Sequence, residues 1–360
     1  MTPRGDRTGR AVRDTLHATI GRLLFVGIPE PTLDTATRDT LETLQPGGII
    51  LFKRNAGTPD AVAALTAALH ALPSHPIVAI DHEGGRVMRL GEPFTRFPPA
   101  ADIGRRHDPD LAYRVGRAMA AELAGVGIDL SFAPVLDVNS NPANPVIGDR
   151  AFGSDPALVA DLGVAMMRGL RDGGVVPCGK HFPGHGDTAT DSHVELPTVS
   201  RSRAELERLE LIPFRAAIAA GIPMLMTAHV RYPALDPEYP ATLSRKILNG
   251  LLRDDMGFTG VVASDDLDMR AISNHQTIGA AAIGTLHAGA DVLLVCQDLG
   301  RAVQAAAALE AAAGDGTLHT DVITTAAARV DCLRALACRE SMACDLPNPG
   351  HRALVESIRA

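Results

Sequence analysis

Short apolar runs recur along the chain and are separated by longer stretches in which apolar residues return every third or fourth position. The runs cover Arg22–Val26, Gly48–Phe52, Ile77–Asp81, Leu130–Val135, Val175–His181, Pro223–His229, Val261–Asp265 and Asp291–Val295. Several are nearly continuous in Val, Ile, Leu and Ala, the pattern of parallel strands buried on both faces.

The stretches between them read as helices. Asp108 can cap one, with Pro109 suited to its first turn. Leu111, Val115, Met119 and Leu123 then recur every four residues as one apolar stripe. Ser154 and Asp155 can cap the next, Leu158, Leu162, Met166 and Leu170 mark its buried face, and Gly173-Gly174 ends it. The Ala-rich stretch Gln304–Ala313 also reads as helix. Eight strands alternating with helices predict an α/β fold, a single-domain (β/α)8 TIM-type barrel. An open doubly wound sheet usually shows a glycine-rich phosphate loop after its first strand, and the turn at Gly27 has none. Residues 1–343 are expected to form the barrel and 344–360 a tail packed on it.

In such a barrel the chemistry gathers where the strands end, because the following loops ring one face. Five successive strands here end in ionisable or amide groups. The third runs into Asp81-His82-Glu83-Gly84-Gly85-Arg86, and the fourth into Asp137 and Asn139, with Arg150 in the loop beyond. The fifth ends Lys180-His181, the sixth His229 and the seventh Ser264-Asp265-Asp266. A purely structural barrel has no use for so many, so this rim reads as an active site. His75, His107 and His319 read as surface or packing residues instead.

The densest segment is Lys180–His193, with His181, His185, His193, Asp187 and Asp191 interleaved with Pro183, Gly184 and Gly186. It could hold a divalent metal; the reading preferred is a mobile catalytic loop with glycine hinges and no metal. In an extended backbone Asp191 and His193 point to the same side. The carboxylate can then hold one ring nitrogen while the other passes a proton, and it favours the acid form near neutral pH. Strand seven supplies a partner. Asp265 and Asp266 fall on opposite faces of an ideal strand, so one is expected to point into the site and the other to bond to backbone or a neighbouring strand. A carboxylate at that rim can attack an anomeric carbon.

Composition narrows the field. A formal charge of −8 argues against nucleic-acid and anionic-membrane partners. Aromatic residues make up 3% and Trp is absent, which favours a small saccharide held by polar contacts over a long polysaccharide stacked on rings. The five cysteines form no zinc or CxxC pattern, and Cys178 and Cys296 read as buried hydrophobes. The apolar stretch Leu23–Ile28 is too short for a signal-peptide core, and the uncharged run between Arg215 and Arg231 is too short for a membrane span. A cytoplasmic protein is expected.

The motifs resemble those of family-3 glycoside hydrolases, specifically the single-domain β-N-acetylglucosaminidases of bacterial peptidoglycan recycling. The resemblance rests on Pro46-Gly47-Gly48-Ile49-Ile50-Leu51-Phe52, Asp81-His82-Glu83-Gly84-Gly85-Arg86-Val87 and Phe132-Ala133-Pro134-Val135-Leu136-Asp137-Val138. It continues in Asn144–Gly153, in Lys180-His181-Phe182-Pro183-Gly184-His185-Gly186 with Asp191-Ser192-His193, and in Ser264-Asp265-Asp266-Leu267-Asp268-Met269. It implies a barrel without the sandwich domain that supplies a catalytic carboxylate in many relatives. It implies Asp265 as nucleophile, His193 as acid/base and Asp191 as its partner, with Asp81, Arg89, Arg150, Lys180 and His181 binding the sugar. The implied substrate is a GlcNAc-containing muropeptide fragment, with no cofactor, and the chain is expected as a monomer or weak homodimer. His82, where the family often has Gln, and Met88 beside Arg89 are departures that bear on aglycone preference. Alternatives are a phosphorylase using phosphate as acceptor, a metal-dependent hydrolase and an inactive sugar-binding protein.

Overall fold

A computed structural model describes residues 15–188, 190, 195–337 and 344–359. Eight parallel strands close a barrel: β1 (Leu24–Gly27), β2 (Gly48–Leu51), β3 (Ile77–Ile80), β4 (Leu130–Ser131), β5 (Val176–Phe182), β6 (Met224–Thr227), β7 (Val261–Asp266) and β8 (Val292–Val295). Each pairs with its neighbours in chain order, and β8 returns to β1 through Leu24↔Leu293 and Val26↔Val295. All eight expected strands are present, and the (β/α)8 barrel is the observed fold.

The ladder is shortest at β4, where strand was expected as far as Val135. Pro134 has no N–H to donate, so regular pairing stops at Ser131. The chain nevertheless stays in place. Cys178 N–H donates to Ala133 O (2.9 Å) and Leu136 N–H to Lys180 O (2.7 Å). Asp137 is thereby set beside the end of β5.

The surrounding helices begin as their sequences dictate. Asp108 Oδ1 accepts from the backbone of Asp110 and Leu111 at the start of the Pro109–Ala124 helix. Asp155, rather than Ser154, caps the Pro156–Asp172 helix through Ala157 N–H at 3.0 Å. Leu111, Val115, Met119 and Leu123 are all buried, each aliphatic side chain contributing about 2 kcal/mol of burial free energy. The Ala-rich segment lies in the Leu299–Gly314 helix.

At the face opposite the rim, buried Asp291 accepts from Arg253 (2.6 Å), Arg329 (2.8 Å) and Val262 N–H (2.8 Å), tying β8 to two outer elements. In the tail, the Pro349–Arg359 helix packs on the Pro109–Ala124 and Ala100–Gly104 helices. Val355 and Ile358 are buried there, and His351 Nδ1 lies 2.8 Å from the buried carboxylate of Glu122. Among the described residues no helix is long and apolar enough to cross a membrane.

Candidate active site

A cavity of about 690 Å³ opens at the C-terminal ends of the strands. Asp81, Arg89, Arg150, Lys180, His181 and Asp265 all line it. Six of the residues singled out from sequence, carried by the ends of three strands and by two loops, are thus brought together. Asp191 and His193 lie outside the described residues.

One charge network builds the floor. Lys180, 3% exposed, places Nζ 2.7 Å from Asp81 Oδ1 and 2.6 Å from Glu83 Oε1. Arg89 takes the other Asp81 oxygen at 2.9 Å. Arg150 grips Glu83 with two parallel bonds, Nε to Oε2 at 2.9 Å and Nη2 to Oε1 at 2.8 Å. Asp137 Oδ2 meets His181 Nδ1 at 2.7 Å, and Oδ1 accepts from His185 N–H at 2.7 Å. Burial alone would neutralise these carboxyls, but the cations prevail. Burial pushes Asp81 up, yet Lys180 and Arg89 hold it well below the ordinary carboxylate range. Glu83 is likewise pushed up by burial but held at about 2 by Arg150 and Lys180. Desolvation pulls Lys180 down, and the carboxylates of Asp81 and Glu83 more than restore it, so its ammonium stays charged.

This wiring sets what each group can offer. Each carboxylate oxygen has a second lone-pair direction, so Asp81 can still accept from neighbouring hydroxyls. Arg150 is different. Its fork is directed at Glu83 inside the protein, and Nη1 donates to Val146 O at 3.2 Å, so it aligns the site more than it grips a ligand. The sequence places Glu83 and Asp137 among the polar strand ends of the active-site rim but assigns neither an individual role. Neither carries a motif signal distinguishing it from Asp81, and only the barrel shows that one bridges Lys180 to Arg150 and the other fixes the His181 ring. His82 is buried in a short ribbon (His82–Gly84 against Val87–Met88). Neither it nor Met88 is among the residues that line the cavity.

Strand parity does not separate the two carboxyls on β7. Between two paired positions β7 advances three residues, from Ala263 to Asp266, while β8 advances two, from Val292 to Leu294. The extra residue is a bulge, which re-aims the side chains beyond it, and both Asp265 and Asp266 line the cavity. Asp266 also bonds to backbone, as expected for one of the pair: Oδ1 accepts from Asp268 N–H (3.1 Å) and Cys296 N–H (3.2 Å). Burial, with Asp268 close by, pushes its carboxyl up to about 7. Asp265 Oδ1 accepts from Asp266 N–H at 2.8 Å.

The first half of the Lys180–His193 segment is firmly seated. Asn144 Nδ2 donates to His185 O (2.8 Å) and Gly186 O (2.9 Å), and His185 Nδ1 lies 2.9 Å from Thr188 Oγ1. Glycine hinges were expected, but close approach explains these glycines better. A methyl at Gly186 would sit 1.6 Å from Val138 O, and Gly184 has φ +128° with its α-carbon against Glu210. His185 is buried, which lowers its pKa to about 4 with help from His181 and favours the neutral ring, and it too lines the cavity.

A parallel barrel whose rim gathers carboxylates and fixed cations in one cavity is suited to a small hydroxylated substrate. The comparisons with known proteins point the same way. Residues 15–333 match the model of the glycosyl hydrolase family 3 N terminal domain. A β-hexosaminidase of Nitrosomonas eutropha is 45% identical over 282 residues, 76% of this chain and 80% of the relative. One from Thiobacillus denitrificans is 45% identical over 257 residues, covering 69% and 71%. Among solved structures, the family 3 β-N-acetylglucosaminidase from Paenibacillus sp. superposes with TM-score 0.91 at 40% identity, over 95% of this chain and 68% of that one. NagZ from Neisseria gonorrhoeae, in complex with N-trifluoroacetyl-D-glucosamine, gives 0.80 at 36%, over 93% and 96%. The chain belongs to glycosyl hydrolase family 3. Within that family it is a glycoside hydrolase of the β-hexosaminidase type.

The seat of the loop makes a direct prediction. Gly186→Ala forces the segment off Val138 by an ångström or more, and displacement on that scale costs on the order of 10²-fold in kcat/KM. Steady-state kinetics on an aryl N-acetyl-β-hexosaminide checks it, and unchanged kinetics would mean that the seat of this segment does not matter to catalysis.

Proposed function

We propose that the chain is a retaining β-N-acetylglucosaminidase that releases terminal GlcNAc from peptidoglycan-derived muropeptides in the cytoplasm. The observation that carries this reading is that Asp265 lines the same cavity as the Asp81–Lys180–Arg89 cluster. Asp81, Lys180 and His181 hold ring hydroxyls, and Arg89 and Arg150 keep the carboxylates aligned. An Asp265 oxygen attacks the anomeric carbon as the glycosidic C–O bond breaks and His193, oriented by Asp191, protonates the departing oxygen. Water then attacks the same carbon and gives its proton to His193, and the sugar–Asp265 ester bond breaks. Two inversions return the starting anomer. The names of the relatives support the N-acetylhexosaminide, and the N-acylglucosamine ligand of the gonococcal structure supports GlcNAc. The muropeptide aglycone and the cytoplasmic setting follow from the family resemblance.

Two measurements test this reading. NMR of the first sugar released from an aryl β-N-acetylglucosaminide should show the β-anomer, and the α-anomer would sink the two-step scheme. His193→Ala should slow poorly activated leaving groups by about 10²- to 10⁴-fold and dinitrophenyl leaving groups far less. An equal loss across leaving groups would remove His193 from the acid role. Running the assay in phosphate buffer also detects any glycosyl phosphate, the product of a phosphorylase.

A further inference from the structure

Glu210 immediately precedes the Leu211–Ala219 helix and is fully buried, yet its side chain does not cap that helix. Its Oε1 accepts from Ser140 Oγ at 2.8 Å, on the rim loop after β4. Its Oε2 has no hydrogen-bond partner among the described residues. The same carboxyl abuts the loop after β5, where a methyl at Gly184 would lie 2.7 Å from Oε2. On its far side Gly184 O accepts the Tyr232 hydroxyl. Arg201 Nε lies 2.8 Å from Asp187 Oδ2, on that same loop, and 4.0 Å from Glu210 Oε1. One buried carboxyl therefore touches both rim loops and competes with a loop carboxylate for one guanidinium.

We propose that Glu210 is a positioning residue: wedged between the rim loops after β4 and β5, it seats the His181–Asp187 segment and thereby governs substrate affinity. The proposal rests on the glycoside hydrolase reading of the cavity, and it is independent of which residue delivers the proton. The groups facing Glu210 are Asp137 and Ser140 from the β4 side, Asp187 from the β5 loop, Arg201 from the segment before the helix, and Tyr232 beyond β6. Burial pushes the carboxyl up to about 7, with Asp137 and Asp187 adding to the rise against Ser140 and Arg201. Below that pH Glu210 is neutral, and the charge of Arg201 is held by Asp187, which fixes the loop. Above it, a buried carboxylate with an unbonded oxygen draws Arg201 away from Asp187 and repels Asp187 directly.

The test is the pH dependence of KM and kcat for the parent, Glu210→Gln and Ser140→Ala on nitrophenyl β-N-acetylglucosaminide, between about pH 5.5 and 9. The parent KM should rise at least about fivefold through neutrality, while kcat follows its own acid/base groups. Glutamine keeps an acceptor for Ser140 but cannot ionise, so its KM should stay flat. Ser140→Ala removes a bond that favours the anion and should move the KM break to higher pH. A parent-like KM curve in Glu210→Gln overturns the proposal. If that variant does not fold, an unmoved break in Ser140→Ala overturns it equally. A second readout needs no turnover. A carboxyl whose folded pKa is raised contributes stability fully below its ordinary value of 4.5, and loses it as pH rises through 7. The parent Tm should therefore fall across that window relative to Glu210→Gln. Parallel Tm curves would show that Glu210 does not titrate there and end the proposal, whereas absence of hydrolysis by the parent would sink the functional reading instead.

Discussion

Asp265→Asn should leave a folded, sugar-binding protein whose turnover is lower by on the order of 10⁴-fold or more. The side chain lies at the cavity surface, and its Oδ1 accepts the Asp266 N–H. Asparagine retains that acceptor, so the variant should stay folded while the proposed nucleophile is gone. The matching change at Asp266 should behave differently. That carboxyl is engaged by the backbone of Asp268 and Cys296 and is raised to about 7, which suits a group that shapes the rim, not one that must be anionic to attack. Steady-state kcat and thermal melts of the two variants decide the matter. Comparable residual turnover in both would mean that the nucleophile has been placed on the wrong carboxyl.

Lys180→Met should damage both stability and activity. The ammonium is the shared counter-ion of Asp81 and Glu83, and methionine fills the stem without the charge. Each carboxylate keeps one arginine, but their mutual repulsion goes uncompensated in a buried site. Breaking a buried pair in this way costs about 3 kcal/mol or more at neutral pH. Both carboxyls have folded pKa values below their ordinary ones. The stability they contribute is present above the ordinary values of 3.8 and 4.5 and fades as pH falls towards the depressed ones. The part of that depression that Lys180 supplies is lost in the variant, so the gap in Tm between parent and variant should be widest near pH 7 and narrow below about pH 4. A pH series of thermal melts measures this. A gap that does not change with pH would mean that Lys180 acts through packing alone. Activity should fall through both kcat and KM, because Asp81 would be held by Arg89 alone.

The apolar runs and their helical spacers determined the barrel before any coordinates. A parallel strand buried on both faces must be continuously apolar, and a polar residue ending such a run has only the rim to occupy. For that reason Asp81, Lys180, His181 and Asp265 could be assembled from chain order alone. The caps at Asp108 and Asp155 were legible on the same terms, because a cap is a local arrangement of a few consecutive residues.

Contacts between residues distant in the chain were not legible. Nothing near Glu83 announces that Lys180, ninety-seven positions on, and Arg150 will share its carboxylate, and nothing near Ser140 announces Glu210. Parity along β7 could not rank Asp265 against Asp266, since the bulge opposite β8 depends on how two strands meet. Gly184 and Gly186 could be read as hinges from sequence, because the atoms that crowd them belong to Glu210 and Val138, elsewhere in the chain. Local pattern determines which elements form and which residues reach the rim. Only closing the barrel decides which charges neutralise one another there, because that energy depends on distances that no spacing along the chain encodes.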